Sequence, residues 1–493
     1  MKTPDRPATG SACGPSSVGP WRNRTVLFLL LLLGVKTGLF IAAGQPPLVA
    51  DPFQYWCDGQ RIAQGDWCLV GGQPQITRTP GYALFLAALD RVFGSGALIA
   101  ATAGQQIMVF GSAILAAWMC GRLTGSKAGV VAGLALSLAC CSRNSVAVYL
   151  YSDTLLGLLL TLWAVFFLLW FERPTWLRAA AVGLILGAAV LVKPVAELAW
   201  VPTLLGMALR LRQLGLLRFA PVQFAALMAV FLAAVGPWLV RNQVYFGHPF
   251  LTKFAGRNLW WSCFRGNVDD PINPSIPFGE DPTTVTTLAG LRDRDPHNAW
   301  LVYGILVYQG RSAIEADDLM LHVAWEAVKA HPRQFLFSRC VRFAWFWVTP
   351  NGTFRPKTAE LRSQGYQADE SGQQPGKPMP EGCASPSTWR SEWYFDRGRL
   401  NVLWYPHPVP YGLAALAAAA GLAVMARDPR QRILGITFGL WGLYFCAVVT
   451  IVGSPEYRYR MVLEPLMIVV VVTACVSVLQ ARSRKRRVQN DGT

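Results

Sequence analysis

Carboxylates and cations recur where polar stretches meet apolar runs. Asp51, Asp58 and Asp153 stand there, with Arg78, Lys193, Arg241, Arg458 and Arg460. Ionisable groups at membrane depth are costly, and they usually line polar cavities or pair with one another. Carboxylates beside several fixed cations suit one reaction class. A base removes a proton from an incoming hydroxyl, while cations hold a phosphate that departs as an anion. With phosphate as leaving group, no strong general acid is needed.

The stretch that concentrates these residue types runs from Asp51 to Tyr82. Asp51 is placed to start a helix, as an N-cap carboxylate with Pro52 at the first helical position. Tyr55 and Asp58 then share a helical face with Asp51, and Gly65 is the expected stop. The stretch closes on Arg78-Thr79-Pro80-Gly81-Tyr82.

Each residue also has a purely structural reading. Asp51 serves as a cap, which would lower its pKa and weaken it as a base. Asp153 heads an apolar run and caps it. Asp58 reads as a surface residue. Arg78 doubles as an interfacial anchor, Lys193 snorkels at a span end, and Arg241 and Arg458 hold lipid headgroups. Glu456 beside Arg458 reads as a local ion pair of little weight. His248, His322 and His331 show no metal-ligand spacing and read as structural.

The elements that position these residues are set by composition. The 493 residues are 53% hydrophobic and 15% charged, as in an integral membrane protein. The 19 tryptophans suit interfacial belts. A net charge of +17 would admit a nucleic-acid partner, but the basic residues fall at the ends of apolar runs, which is topology. The eleven cysteines include no C-x-x-C pair. Cys57 with Cys68 and Cys263 with Cys383 are candidate disulfides if their compartment is oxidising.

Residues 1–24 read as a disordered cytoplasmic tail. The first span follows from Val26 to Ala43, with Lys36 inside it snorkelling or facing a polar cavity. After a first outward loop (44–96), Tyr82 to Val92 is too short to span and reads as re-entrant or interfacial. Further spans are expected at 97–119, 128–141, 154–171, 179–195, 197–209 and 219–239, which complete a transmembrane module over 25–240. Arg122 and Lys127, Arg173 and Arg178, then Arg210, Arg212 and Arg218 mark alternate turns as cytoplasmic. Residues 241–408 form a polar extracytoplasmic domain, helical around Ala313 to Ala330 and Phe335 to Trp347, with 351–395 loop-like. Three spans at 409–426, 433–452 and 461–480 return the chain to a basic cytoplasmic tail, 481–493.

With these stretches in order, the chain resembles the GT-C superfamily of polytopic glycosyltransferases. That group includes protein O-mannosyltransferases and the lipid A aminoarabinose transferase. Asp51 with Tyr55 resembles the acidic first-loop motif, and Arg78 to Tyr82 the Arg-x-Pro-Gly-Tyr signature. Ser152-Asp153-Thr154 matches the acidic second-loop motif. Gly187 through Lys193-Pro194 resembles a segment in which arginine is commoner than lysine. Gly236-Pro237-Trp238 with Arg241-Asn242, His331-Pro332, and Arg458-Tyr459 with Pro465 complete the series. Two departures stand out. Lys193 offers a point charge in place of a bidentate fork, and Met461-Val462 stand where a proline is usual.

The apolar runs and basic turns give about ten transmembrane helices with both termini cytoplasmic, and the resemblance implies an all-α polytopic membrane protein of GT-C fold in a bacterial inner membrane. It implies a polyprenyl-phosphate sugar donor and a lipid, polysaccharide or protein acceptor. By analogy Asp51 is the general base and Asp153 orients acceptor or sugar. Arg78, Lys193, Arg241 and Arg458 are candidates for the donor phosphate, and Tyr55 and Tyr82 line the substrate. The residues leave open whether a divalent cation joins the carboxylates. Rival readings are a transporter or flippase of lipid-linked sugars, a polymer ligase using a lipid pyrophosphate, and a membrane scaffold. Transporters usually show repeats and discontinuous midplane helices, whereas here the charges cluster at one face.

Overall fold

A computed structural model describes residues 23–42, 51–66, 76–140, 142–265, 274–292, 294–348, 410–453 and 457–490, two short strands in the first loop, and residues 48 and 269. The described chain is almost entirely helical. The helices are α1 (Arg24–Ala42), α2 (Asp51–Ala63), α3 (Gly81–Phe93), α4 (Ala97–Thr124), α5 (Lys127–Ala139), α6 (Ser142–Val146), α7 (Ser152–Glu172), α8 (Trp176–Val192), α9 (Trp200–Gln213) and α10 (Ala220–Phe246). They continue as α11 (Ala255–Phe264), α12 (Pro282–Ala289), α13 (Ala299–Tyr308), α14 (Ala313–Ala330), α15 (Pro332–Val348), α16 (Pro410–Arg427), α17 (Arg432–Ile451) and α18 (Tyr457–Asn490). Strands β1 (Leu69–Val70) and β2 (Gln73–Pro74) pair antiparallel, Val70 opposite Gln73. Among the described residues six helical stretches are long and apolar enough to cross a membrane, and the chain is a multi-pass membrane protein.

The main core lies among α4, α7, α8, α9, α10, α17 and α18, and its centre is aromatic. Trp163 stacks on Phe167 and on Trp441 at 5.7 and 5.1 Å. Two indoles that burial would otherwise strand find partners: Trp163 donates to Thr203 at 3.2 Å and Trp170 to Gln223 at 3.0 Å. A second core, built on Trp260, Phe264, Met320 and Val323, belongs to α11–α14.

Several boundaries depart from the sequence expectations for local reasons. Pro194 ends α8 at Val192, a short 3-10 turn comes next, and α9 begins only at Trp200. Lys193, held before a proline, is extended at φ −157° and ψ 124°. Helix α10 runs past Pro237 to Phe246, where Gly247 caps it at φ 80°, so Arg241 sits on a helix and not in a loop. Helix α18 continues through the basic tail to Asn490. Lys36 meets polar backbone: its ammonium donates to the carbonyls of Ser137, Leu138 and Cys140 at 3.2, 3.1 and 2.5 Å. A cation thus caps the C-terminal end of α5. Cys68, Cys383 and Glu456 lie outside the described residues, as do the 351–395 segment and most of the N-terminal tail.

The ends of the bundle differ in character. At one, Arg122 pairs with Glu172 at 2.8 Å, and Gln480 donates to the Thr124 carbonyl. At the other end, where α2, α7 and α18 begin and α8 stops, the candidate residues gather.

Candidate active site

Asp51 occupies the first turn of α2, and two arginines from distant parts of the chain grip it. Arg78 Nη2 donates to Oδ1 at 2.8 Å, and Arg458 Nη2 donates to Oδ2 at 3.0 Å. Arg78 also donates to Gln54 at 2.5 Å and lies 4.2 Å above the Tyr55 ring. Arg458 lies 4.5 Å above Tyr151. Burial alone would push the Asp51 carboxyl up, but the two guanidiniums reverse this and hold it well below the usual carboxylate range. Burial likewise opposes charge on Arg78, and Tyr55 and Asp51 outweigh it, so its pKa lies above the usual guanidinium range.

Asp153 sits in the first turn of α7 with its side chain 2% exposed. Lys193 Nζ donates to its Oδ1 at 2.6 Å. The extended backbone before Pro194 is what turns this lysine off the end of α8. Its ammonium also lies 4.1 Å over Tyr459. The other oxygen, Oδ2, is 4.0 Å from Arg458 Nε, so Arg458 stands between the two carboxylates. Among the described residues the cluster holds two carboxylates and three cations, with Asp51 the more open carboxylate at 35%.

The tyrosines tie the helices beneath this cluster. Tyr55 shares a 3.0 Å hydrogen bond with Ser152, next to Asp153, and meets Tyr82 edge-on at 4.9 Å. Tyr82 is fully buried and donates to Gln105 of α4 at 2.9 Å. Gln105 in turn donates to the Ala147 and Tyr149 carbonyls, which fixes the approach to α7. Gly81 permits the closest crossing: a Cβ there would lie 2.6 Å from the Leu191 carbonyl oxygen.

The structure therefore brings Asp51, Tyr55, Arg78, Tyr82, Asp153, Lys193 and Arg458 together, although Arg458 lacks the downstream proline. Arg241 keeps other company. It stacks on Trp238 and Tyr245 of its own helix and donates to Asn242 at 2.6 Å. Among the described residues, Arg78, Arg458 and Lys193 engage Asp51 and Asp153. Asp58, expected at the surface, is 6% exposed. Its charge acts on Arg78. Arg460 is fully buried and points toward Phe346. Gln54, Tyr151 and Gln105 were not singled out by sequence. Gln54 is one helical turn from Asp51, and Gln105 with Gln106 forms a polar pair inside an apolar run, which is a usable signal. Among the described residues no group of three or more His, Cys, Asp or Glu side chains could hold a metal ion.

Neither a family model nor a curated protein sequence matches the chain. Among solved structures it is similar to crystal structures of ArnT from Cupriavidus metallidurans. The form bound to undecaprenyl phosphate aligns at 15% identity over 92% of this chain and 77% of that one, with a TM-score of 0.41. The apo form aligns at 15% identity over 92% and 78%, with a TM-score of 0.35.

Proposed function

We propose that this chain is a membrane glycosyltransferase. It moves a sugar from a polyprenyl-phosphate donor to an acceptor hydroxyl on a lipid, polysaccharide or protein, at the extracytoplasmic face and with inversion. The observation that carries this reading is the double grip on Asp51. A carboxylate saturated by Arg78 and Arg458 is a poor base as it stands, but it is a reservoir of two guanidiniums. A donor phosphate entering beside it competes for both arginines, for which fork-shaped phosphate contacts are favourable. Asp51 then loses its cations, its affinity for a proton rises, and it takes the acceptor's proton. The acceptor oxygen bonds to the anomeric carbon as the bond to the phosphate oxygen breaks, and the phosphate leaves as an anion held by the arginines. Asp153, held by Lys193, orients the hydroxyls of sugar or acceptor. This mechanism gives the base its strength only when the donor is bound. The inserted helices α11–α15 are the candidates for choosing the acceptor.

The test uses proteoliposomes of wild type and Asp51→Asn with a panel of radiolabelled polyprenyl-phosphate sugars and envelope extract. Transfer by wild type, and not by Asp51→Asn, is the expected result. Equal transfer by both removes Asp51 as base. Absence of transfer with carrier-bound label changing leaflet turns the reading to a flippase.

A further inference from the structure

Arg339 of α15 is 5% exposed and pairs with no carboxylate among the described residues. Its guanidinium is spent on the end of another helix. Nη1 donates to the carbonyls of Thr450 and Ile451 at 3.3 and 3.1 Å and to the Ser262 hydroxyl. Nη2 donates to the Ser262 carbonyl at 2.6 Å and to Ser338 at 2.9 Å. Ser262 itself donates to the Ile451 carbonyl at 3.2 Å. A cation here answers the orphan carbonyls and negative dipole end of α17. The cost of burying it is repaid by locking α11, α15 and α17 to one another.

The position of α18 makes this lock matter. Arg458 comes seven positions after Ile451, at the start of α18. A second contact fixes the same place: Arg460 lies 6.0 Å over Phe346 of α15, with the arginine fully buried and the ring 1% exposed. The segment leading into α11 also supports the other arginine. Lys253 N donates to the Ile76 carbonyl at 2.7 Å, two positions before Arg78. The adjoining α11 is pinned to α14 by Asp317, which accepts from Gly256 N and Arg257 N at 3.0 and 3.1 Å. Gly256 allows that contact, since a Cβ there would collide with the Asp317 carbonyl oxygen.

We propose that Arg339 is a positioning residue: by fixing the end of α17 it sets where α18 begins and so holds Arg458 against Asp51. It touches no reacting atom. The proposal rests on the reading of Asp51 and Arg458 as site residues, but its geometric core holds whether or not sugar is transferred. The charged groups that act on Asp51 are Arg78 from the first loop and Arg458 from α18, with Asp153 and Lys193 behind Arg458.

The experiment uses the full chain in nanodiscs and reads the protonation of Asp51 directly. A water-soluble carbodiimide couples an amine to protonated carboxyls, and mass spectrometry quantifies the adduct on Asp51 near pH 5. Removing one of two arginines raises the carboxyl by about one unit, so Arg458→Ala should label about tenfold more than wild type. Arg339→Ala should label at least about threefold more, and adding it to Arg458→Ala should change little, because the two act through one contact. Ser262→Ala, a milder change should Arg339→Ala fail to fold, should raise labelling about twofold. Wild-type labelling in Arg339→Ala, or in Ser262→Ala where it stands in, while Arg458→Ala labels more, overturns the proposal. So do effects that multiply in the double variant. In transfer assays kcat should fall and KM for the donor should rise, because Arg458 also holds the donor phosphate. A wild type inactive with every donor sinks the transferase reading and leaves the labelling result to decide this one.

Discussion

Lys193 and Asp153 offer the sharpest test of how the site is held together. Their contact is 2.6 Å, with side-chain exposures of 14% and 2%, so solvent screening is slight. Removing one partner of such a pair generally costs about 3–5 kcal/mol, because the other charge stays buried. For Lys193→Met the lower end applies. Arg458 remains 4.0 Å from Asp153 Oδ2, and a pair at that distance gains up to about 4 kcal/mol of gross attraction at an effective dielectric near 20. For Asp153→Asn, Lys193 keeps the Tyr459 face at 4.1 Å, worth about 2 kcal/mol when desolvated. Each single variant should therefore lose about 3 kcal/mol, and the double variant should lose no more than either one. The assay is thermal unfolding in detergent, followed by tryptophan fluorescence. About 2 °C per kcal/mol is an upper bound for a chain this long, so each single variant should melt up to about 6 °C lower. Melting shifts that simply add in the double variant would refute the buried-pair argument, since independent sites add within about 0.5 kcal/mol.

Three further outcomes are expected. Because the folded-state pKa of Asp51 is depressed, its stabilisation is present above the unfolded value near 4 and is lost only as pH falls through the folded value. Unfolding midpoints should thus show no pH dependence from Asp51 between pH 5 and 8, where its stabilisation is fully present, whereas Arg78→Ala should move its loss upward toward pH 4, visible in a pH series of melts. Gly81→Ala forces a methyl group to within 2.6 Å of the Leu191 carbonyl oxygen. Backbone cannot yield there cheaply, so about 1–3 kcal/mol should be lost along with transfer activity; wild-type melting and activity would contradict the crossing. Lys36→Met leaves the α5 carbonyls of Ser137 and Leu138 without their cation, which should cost about 1–3 kcal/mol in melts while KM for the donor stays the same.

Much of this was legible in the chain itself. Lys193 before Pro194 reads as a span end, and the structure places the lysine just past α8, although the expected span at 179–195 ran a few residues too far. Asp51-Pro52 announces the start of α2, and the structure begins the helix there. The short Tyr82–Val92 run, too brief to span, is a separate helix packed beneath the site. The setting of Arg241 misled because apolar length set the expected end of α10, whereas helical hydrogen bonding continues through polar residues until Gly247 takes a positive φ. Asp58 misled because helical periodicity places it on the face of Asp51 and Tyr55, and only the tertiary packing decides that this face is buried.

The sequence by itself determined which residues must find partners. Hydrophobic runs commit the chain to a bilayer, and a charge beside a bilayer cannot stay alone at low cost. It did not determine which partner each would take. Arg458 reaches Asp51 across 407 positions, and Arg339 serves the carbonyl end of α17. Both outcomes depend on how helices cross, and crossing follows from side-chain shape and from close approaches such as that at Gly81. Propensity and periodicity act within a few residues, whereas the pairing of buried charges is settled by packing over the whole bundle.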